Sequence, residues 1–379
     1  MSDTRTARVL VATADLGGNA PPALGIAARL AADGADVHVI GHDRQRSAVA
    51  ALGLGFTAYT HPRGYDARKP RSTPSTIRGL AGLSCDSGVG VDLLETAATR
   101  RSEVLLVDCM LLAALRAGAR SGLPTVALVH TFPEFFTGPW AHGPIGALAT
   151  LRGLRPATVW AELAGAVTVC LPELVGASTA LGGPVVGPVW QGTPRRATPS
   201  PVRPVVLISL STVWWSGQDA VAQRVLDAVG GLDVDAIFTT GPALDPAALT
   251  APANVEVHRW ADHADLLPGV NAVIGHGGHA TTMLALAHDL PLLMLPMHPL
   301  VDQPTVARVV AEHGAGLRLR RSAPVETIRS ALDRLVTDPS YRIAAGDLGA
   351  RIRGHDGAAA ASHYLRGLGH NQDAVPNTT

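Results

Sequence analysis

Short apolar runs, rich in β-branched residues, recur along the chain at intervals that leave room for a helix between them. RVLVAT (8–13), DVHVIGH (36–42), EVLLVD (103–108), TVALVHT (125–131) and AVTVC (166–170) read as buried parallel strands. Stretches such as PPALGIAARLAADG and LLAALRAGARSG lie between them, with apolar residues at helical spacing and Gly at the end. That alternation predicts a doubly wound α/β sheet. Residues 182–204, GGPVVGPVWQGTPRRATPSPVRP, hold too much Gly and Pro for a regular element, and 191–203 is assigned as a linker.

The pattern then restarts with PVVLISL (204–210), VDAIFTTG (234–241), VEVHRW (255–260), AVIGHGG (272–278) and PLLMLPM (291–297), and helices are expected near 325–336 and 340–366. The expected domains are therefore 1–190 and 204–366, both Rossmann-like, with a polar, disordered tail at 367–379. Two such domains facing one another enclose a deep cleft, with ligands at the carboxyl ends of the strands.

Composition narrows the class. The chain has 379 residues, 47% hydrophobic and 16% charged, enough apolar material for two cores. Lys plus Arg and Asp plus Glu both number 31, so the formal net charge is zero, which argues against a nucleic-acid partner. The 15 His form no metal-ligand pattern such as HExxH, and the three Cys form no CxxC pair, so neither a metal nor a disulfide framework is expected. The start MSDTRTA runs into a strand without a secretory signal, and the longest apolar stretch, LPLLMLPMHPLV, contains three prolines and is too short for a bilayer. A cytoplasmic protein without a membrane span is expected, and a homodimer is compatible with this reading.

The most informative stretch is RWADHADLLPGVNAVIGHGGHATTMLALAHDLPLLMLPMHPLVDQPTVARVVAEHGAG (259–316). Strand AVIGH ends in His276, Gly277 and Gly278, and a helix follows through Thr281. Small residues at a strand-to-helix junction let a diphosphate approach backbone amides and the positive end of the helix dipole. Asp302 and Gln303 open the next helix as a carboxylate–carboxamide pair suited to vicinal hydroxyls. Trp260 closes a strand where its face can stack on a flat base. Each has a plainer alternative: a tight βα turn for the glycines, a helix cap for Asp302 and core burial for Trp260.

This stretch resembles the donor motif of the UDP-glycosyltransferase family (glycosyltransferase family 1, GT-B fold), whose form is WxPQ, HxGxxST, P and DQ. VDCMLLAALRAGARSGLPTVALVHT resembles the N-terminal domains of actinobacterial members that decorate natural products. The resemblance implies that Trp260 stacks on the pyrimidine and that His263 stands where the family has Gln. It also implies that His276, Gly277, Gly278 and Thr281 hold the diphosphate and that Asp302 and Gln303 bind the sugar. Thr212 in ISLST matches the Ser/Thr of the family's GS turn, whose Gly is Ser211 here. Leu284 occupies the place of the family's ribose-binding Glu, which favours a 2′-deoxy dTDP-sugar over a UDP-sugar. The stretch from Pro296 to Asp302 is two residues longer than usual.

The implied activity is inverting transfer of a sugar from an NDP donor to a hydrophobic natural-product acceptor, polyketide-like or aromatic, with no cofactor. Inverting transfer needs a base for the acceptor hydroxyl. The family carries a His at the start of the helix that holds IAARL (26–30), and here that position is Asn19, which cannot act as one. Asp15 in the same turn is the nearest candidate, with Asn19 orienting the acceptor; its alternative is an ordinary turn residue. Asp108 and His130 end strands facing the expected cleft and are the other candidates. An acceptor as acidic as a phenol needs little help. The cluster TFPEFFTGPWAHG (131–143) offers Phe135 and Trp140, beside His130, as an acceptor wall or as core. Two rivals are a non-catalytic relative that binds nucleotide sugar or aglycone beside a partner enzyme, and a UDP-N-acetylglucosamine epimerase.

Overall fold

A computed structural model of the chain describes residues 6–175, 181–190, 192–198 and 202–370. In the first half, β1 (Arg8–Ala12), β2 (Asp36–Gly41), β3 (Gly55–Ala58), β4 (Val104–Asp108), β5 (Thr125–Val129) and β6 (Gly165–Thr168) form one sheet, ordered β3-β2-β1-β4-β5-β6. In the second, β7 (Val205–Ser209), β8 (Asp235–Thr239), β9 (Val255–His258), β10 (Ala272–Gly275), β11 (Leu292–Met294) and β12 (Gly316–Arg318) are ordered β12-β11-β10-β7-β8-β9. Every pairing is parallel. β4 and β5 are buried at every residue, as expected where helices cover both faces of a parallel sheet.

Numbered within its own half, each sheet runs 3-2-1-4-5-6. That is the doubly wound order in which the winding reverses beside the first strand and ligands sit outside the carboxyl ends at that point. Register makes the reversal usable. Ala12 of β1 pairs with Val107 of β4, and Ser209 of β7 pairs with Gly275 of β10, so the strand ends finish level. The loops leaving them start at Thr13, Cys109, Leu210 and His276.

The chain divides into two compact units, one of residues 1–66, 74–191 and 356–379, the other of 67–73 and 192–355. This corrects the expected boundary at 366. The single helix foreseen at 340–366 is two, Pro339–Gly354 and Gly357–His370, and the second belongs to the first unit. Its apolar face explains why: Ala361 and Leu365 are fully buried in the same core as Leu30, Val104 and Leu106. Ser362 donates to Asp33 at 2.6 Å, and Asp356 pairs with Arg29 at 2.7 Å. The helix also covers 367–370, which the tail assignment took as disordered; the rest of that tail, 371–379, lies outside the described residues. So do 191 and 199–201 of the linker, whose described part is pinned to the second unit through Arg196–Asp289 (2.7 Å) and Ala197 N–H to His288 O (3.0 Å).

Candidate active site

Three polar side chains converge at the reversal point of the first sheet. Asp108, the last residue of β4, has no exposed surface, and its Oδ1 accepts the Met110 amide at 2.8 Å. Its Oδ2 accepts from Asn19 Nδ2 at 3.0 Å, and the same Nδ2 lies 2.8 Å from His130 Nε2. His130 follows β5, retains 11% side-chain exposure, and holds Nε2 3.5 Å from Asp108 Oδ1. Turning the amide over would set its oxygen against a carboxylate, so Asn19 gives one hydrogen to Asp108 and the other to the imidazole. Its helix, Ala20–Ala32, carries Pro21 and Pro22 in its first turn, and Asn19 makes no cap bond because the N2 and N3 positions a cap would accept from are prolines without an N–H.

The electrostatics follow from burial and neighbours. Burial works against a charged His130 ring, but the Cys109 and Asp108 side chains outweigh it and raise the imidazole well above its usual range. Burial likewise pushes the Cys109 thiol up. Cys109 escaped notice in the sequence because nothing in its spacing links it to His130.

Asp15 is placed differently from its expected role. Its carboxylate accepts from Arg44 Nε at 2.8 Å and Nη2 at 2.6 Å, and Arg44 also reaches Asp66 at 3.3 Å. The Asp15 carboxylate is thus engaged by a guanidinium. Phe135 and Trp140, expected in an acceptor wall, are 4% and 1% exposed and belong to the core of the first unit. Phe136 packs between Trp140 and Trp160 and meets His130 edge-on at 6.1 Å. Three polar atoms of this group are buried without a partner: Thr131 Oγ1, Trp140 Nε1 and Trp160 Nε1.

In the second unit, the glycine-rich turn leaves β10 beside the loop from β7. Gly277 has φ +82°, and a Cβ there would come within 2.9 Å of the Gln303 carbonyl, so the turn needs glycine twice over. Gly278 caps the helix His279–Ala287, on which Thr281 is half-buried. His276 is held neutral, its pKa lowered to about 4 by burial, and its Nδ1 is buried with no partner. Thr212 is exposed after Ser211, and Trp260 is 73% exposed, an unusual state for so large an apolar ring. His263 sits 3.1 Å from Thr239 Oγ1 through Nε2, and burial lowers its pKa. Asp262 caps the helix His263–Leu266.

The expected sugar-binding pair separates. Asp302 is half-buried at the start of the helix Gln303–Glu312. Gln303 is buried, and its Oε1 accepts from Met297 N at 2.7 Å and His298 N at 3.3 Å, so it braces the loop instead of facing outward. That loop is the lengthened stretch after Pro296. Its His298 ring packs on Trp215 at 5.2 Å, and Trp215 Nε1 donates to Ser211 Oγ at 3.2 Å. The extra two residues were the one sequence signal that this loop differs.

Residues 223–355, which include the glycine-rich turn, match the C-terminal domain of the erythromycin biosynthesis protein CIII-like family. Among solved structures, the calicheamicin glycosyltransferase CalG4 superposes over 96% of this chain and 98% of its own, with TM-score 0.76 and 20% identity. The fold is GT-B. The glycosyltransferase VinC, solved with dTDP, superposes over 96% of this chain and 100% of its own, with TM-score 0.72 and 20% identity. The 10-deoxymethynolide desosaminyltransferase of Streptomyces venezuelae is 32% identical over 43% of this chain and 37% of its own length. Alignments with this and similar curated relatives span under two fifths of the relatives' length. Among the described residues of the GT-B chain, no helix is long and apolar enough to cross a membrane.

Proposed function

We propose that the protein transfers a sugar from a nucleoside diphosphate donor to a hydrophobic natural-product acceptor, with inversion at the anomeric carbon. The observation that carries this reading is the turn from His276 to Thr282. It combines a helix N-terminus, a glycine that admits no side chain and a buried His276 Nδ1 without a partner, all at the reversal point of the second sheet. A diphosphate oxygen supplies what that nitrogen and those amides lack. Exposed Trp260 is the platform for the base, and Thr212 and Thr281 add hydroxyl donors.

A thymidine donor fits better than a uridine one. Leu284 is half-buried on the helix that begins at Gly278, in the place of a carboxylate that would bond the ribose 2′-hydroxyl. A 2′-OH set against leucine loses its partner, which disfavours it by ~1–3 kcal/mol. VinC, of the same fold, holds dTDP.

The test is NDP release from matched dTDP- and UDP-sugars in the presence of a panel of aromatic and macrolide aglycones. Release from the dTDP-sugar that depends on the acceptor is expected, with the UDP-sugar slower at equal concentration. Tight NDP binding without release under any pairing would favour the non-catalytic alternative that Asn19, replacing the family His, brings to mind.

A further inference from the structure

We infer that His130, backed by Asp108 and held by Asn19, is the general base of the transfer, an imidazole supplied from the end of β5 in place of the one the family carries at the start of the helix Ala20–Ala32. This rests on the transferase reading above and goes beyond it by naming the group that takes the acceptor's proton.

Three observations carry it. The imidazole and the buried carboxylate stand 3.5 Å apart, so a positive charge formed on the ring is met by Asp108. Asn19, in the vacated family position, ties the two together with its two amide hydrogens. The competing carboxylate, Asp15, is bound to Arg44. In the base form of the free protein, above the raised His130 pKa, Nε2 accepts an Asn19 hydrogen. An acceptor hydroxyl takes over as donor to that lone pair while Asn19 keeps its bond to Asp108. The acceptor O–H bond then breaks and its proton passes to the ring. The oxygen's electron pair forms the bond to the anomeric carbon, and the bond from that carbon to the diphosphate breaks, its pair leaving with the NDP. The imidazolium afterwards releases its proton to solvent.

The titratable groups that face the ring are Asp108 and Cys109, and Phe136 meets it edge-on. Since the His130 pKa lies above its ordinary value, the base form is present only above that raised value, and activity is lost as pH falls through it. The acid limb of kcat/KM is therefore expected above about 6.5.

The experiment follows NDP release against pH in the wild type and variants, with NDP affinity by calorimetry and the His130 ring titrated by NMR in the protein alone. His130→Gln is expected to lose ~10²–10⁴-fold in kcat with NDP affinity unchanged. Asp108→Asn should move both the acid limb and the NMR titration to lower pH. The exchange Asn19→His with His130→Asn should regain part of the lost rate. Release that survives His130→Gln with its acid limb intact overturns the base and leaves the transferase reading standing. An equal loss in Asp15→Asn would return the role to Asp15. A wild type that never releases NDP overturns the transferase reading, and the base with it.

Discussion

Ser211 holds a φ of 132°, a conformation that costs a residue with a side chain ~1–3 kcal/mol, at the position where the family has glycine. The serine is retained there by what its hydroxyl does. Oγ accepts from Val213 N at 3.0 Å and from the buried Trp215 indole at 3.2 Å. Two outcomes follow with different magnitudes. Ser211→Gly relieves the backbone but orphans a buried indole N–H, so its net effect on stability is small. Ser211→Ala keeps the strain and loses both bonds, and should destabilise by ~2–4 kcal/mol. Thermal unfolding of the two variants checks the order; an alanine variant as stable as the glycine one would refute it. At this scale the sequence was only partly legible. Asn19, Asp108 and His130 were each singled out, but their separations along the chain, 89 and 111 residues from Asn19, carry no sign that they meet. Asp15 was preferred because it is near in sequence, and the guanidinium that occupies it comes from Arg44, past the next strand.

Elements were far easier to read. Ten strands announce themselves as apolar runs, eight of them inside a sheet and two, β6 and β9, at its edge. β3 and β12 escaped because GFTA and GLR are short and partly exposed and begin with Gly, so burial writes little into the sequence there. The final helix escaped for another reason: its pattern marks it as amphipathic, but a period of 3.6 does not say which core it serves. Leu365 is fully buried with Leu30 and Val104, so Leu365→Ala should cost ~2–5 kcal/mol. The loss should fall on the first unit. Hydrogen exchange is the measurement, with β1 and β4 losing protection and β7 and β10 keeping theirs. Equal loss in both sheets would show that the helix supports more than its own core.

For the molecule as a whole, the proposed diphosphate turn and the proposed base lie in different compact units, each at the reversal point of its own sheet. Their contributions should then be separable. His276→Ala is expected to weaken NDP binding by ~1.5–3 kcal/mol, the value of a hydrogen bond to a charged group, and to leave the NMR titration of His130 where it was. A His276 variant that binds NDP as well as the wild type would remove the turn from the donor site. The division has another side, set by the order in which the polypeptide is made. Apart from residues 67–73, the second unit is one uninterrupted length, 192–355, whereas the first needs a helix that emerges only after it. During synthesis the later unit has nearly all its parts while the earlier sheet still lacks the helix that covers Leu30 and Val104. The half that is translated first is the half completed last.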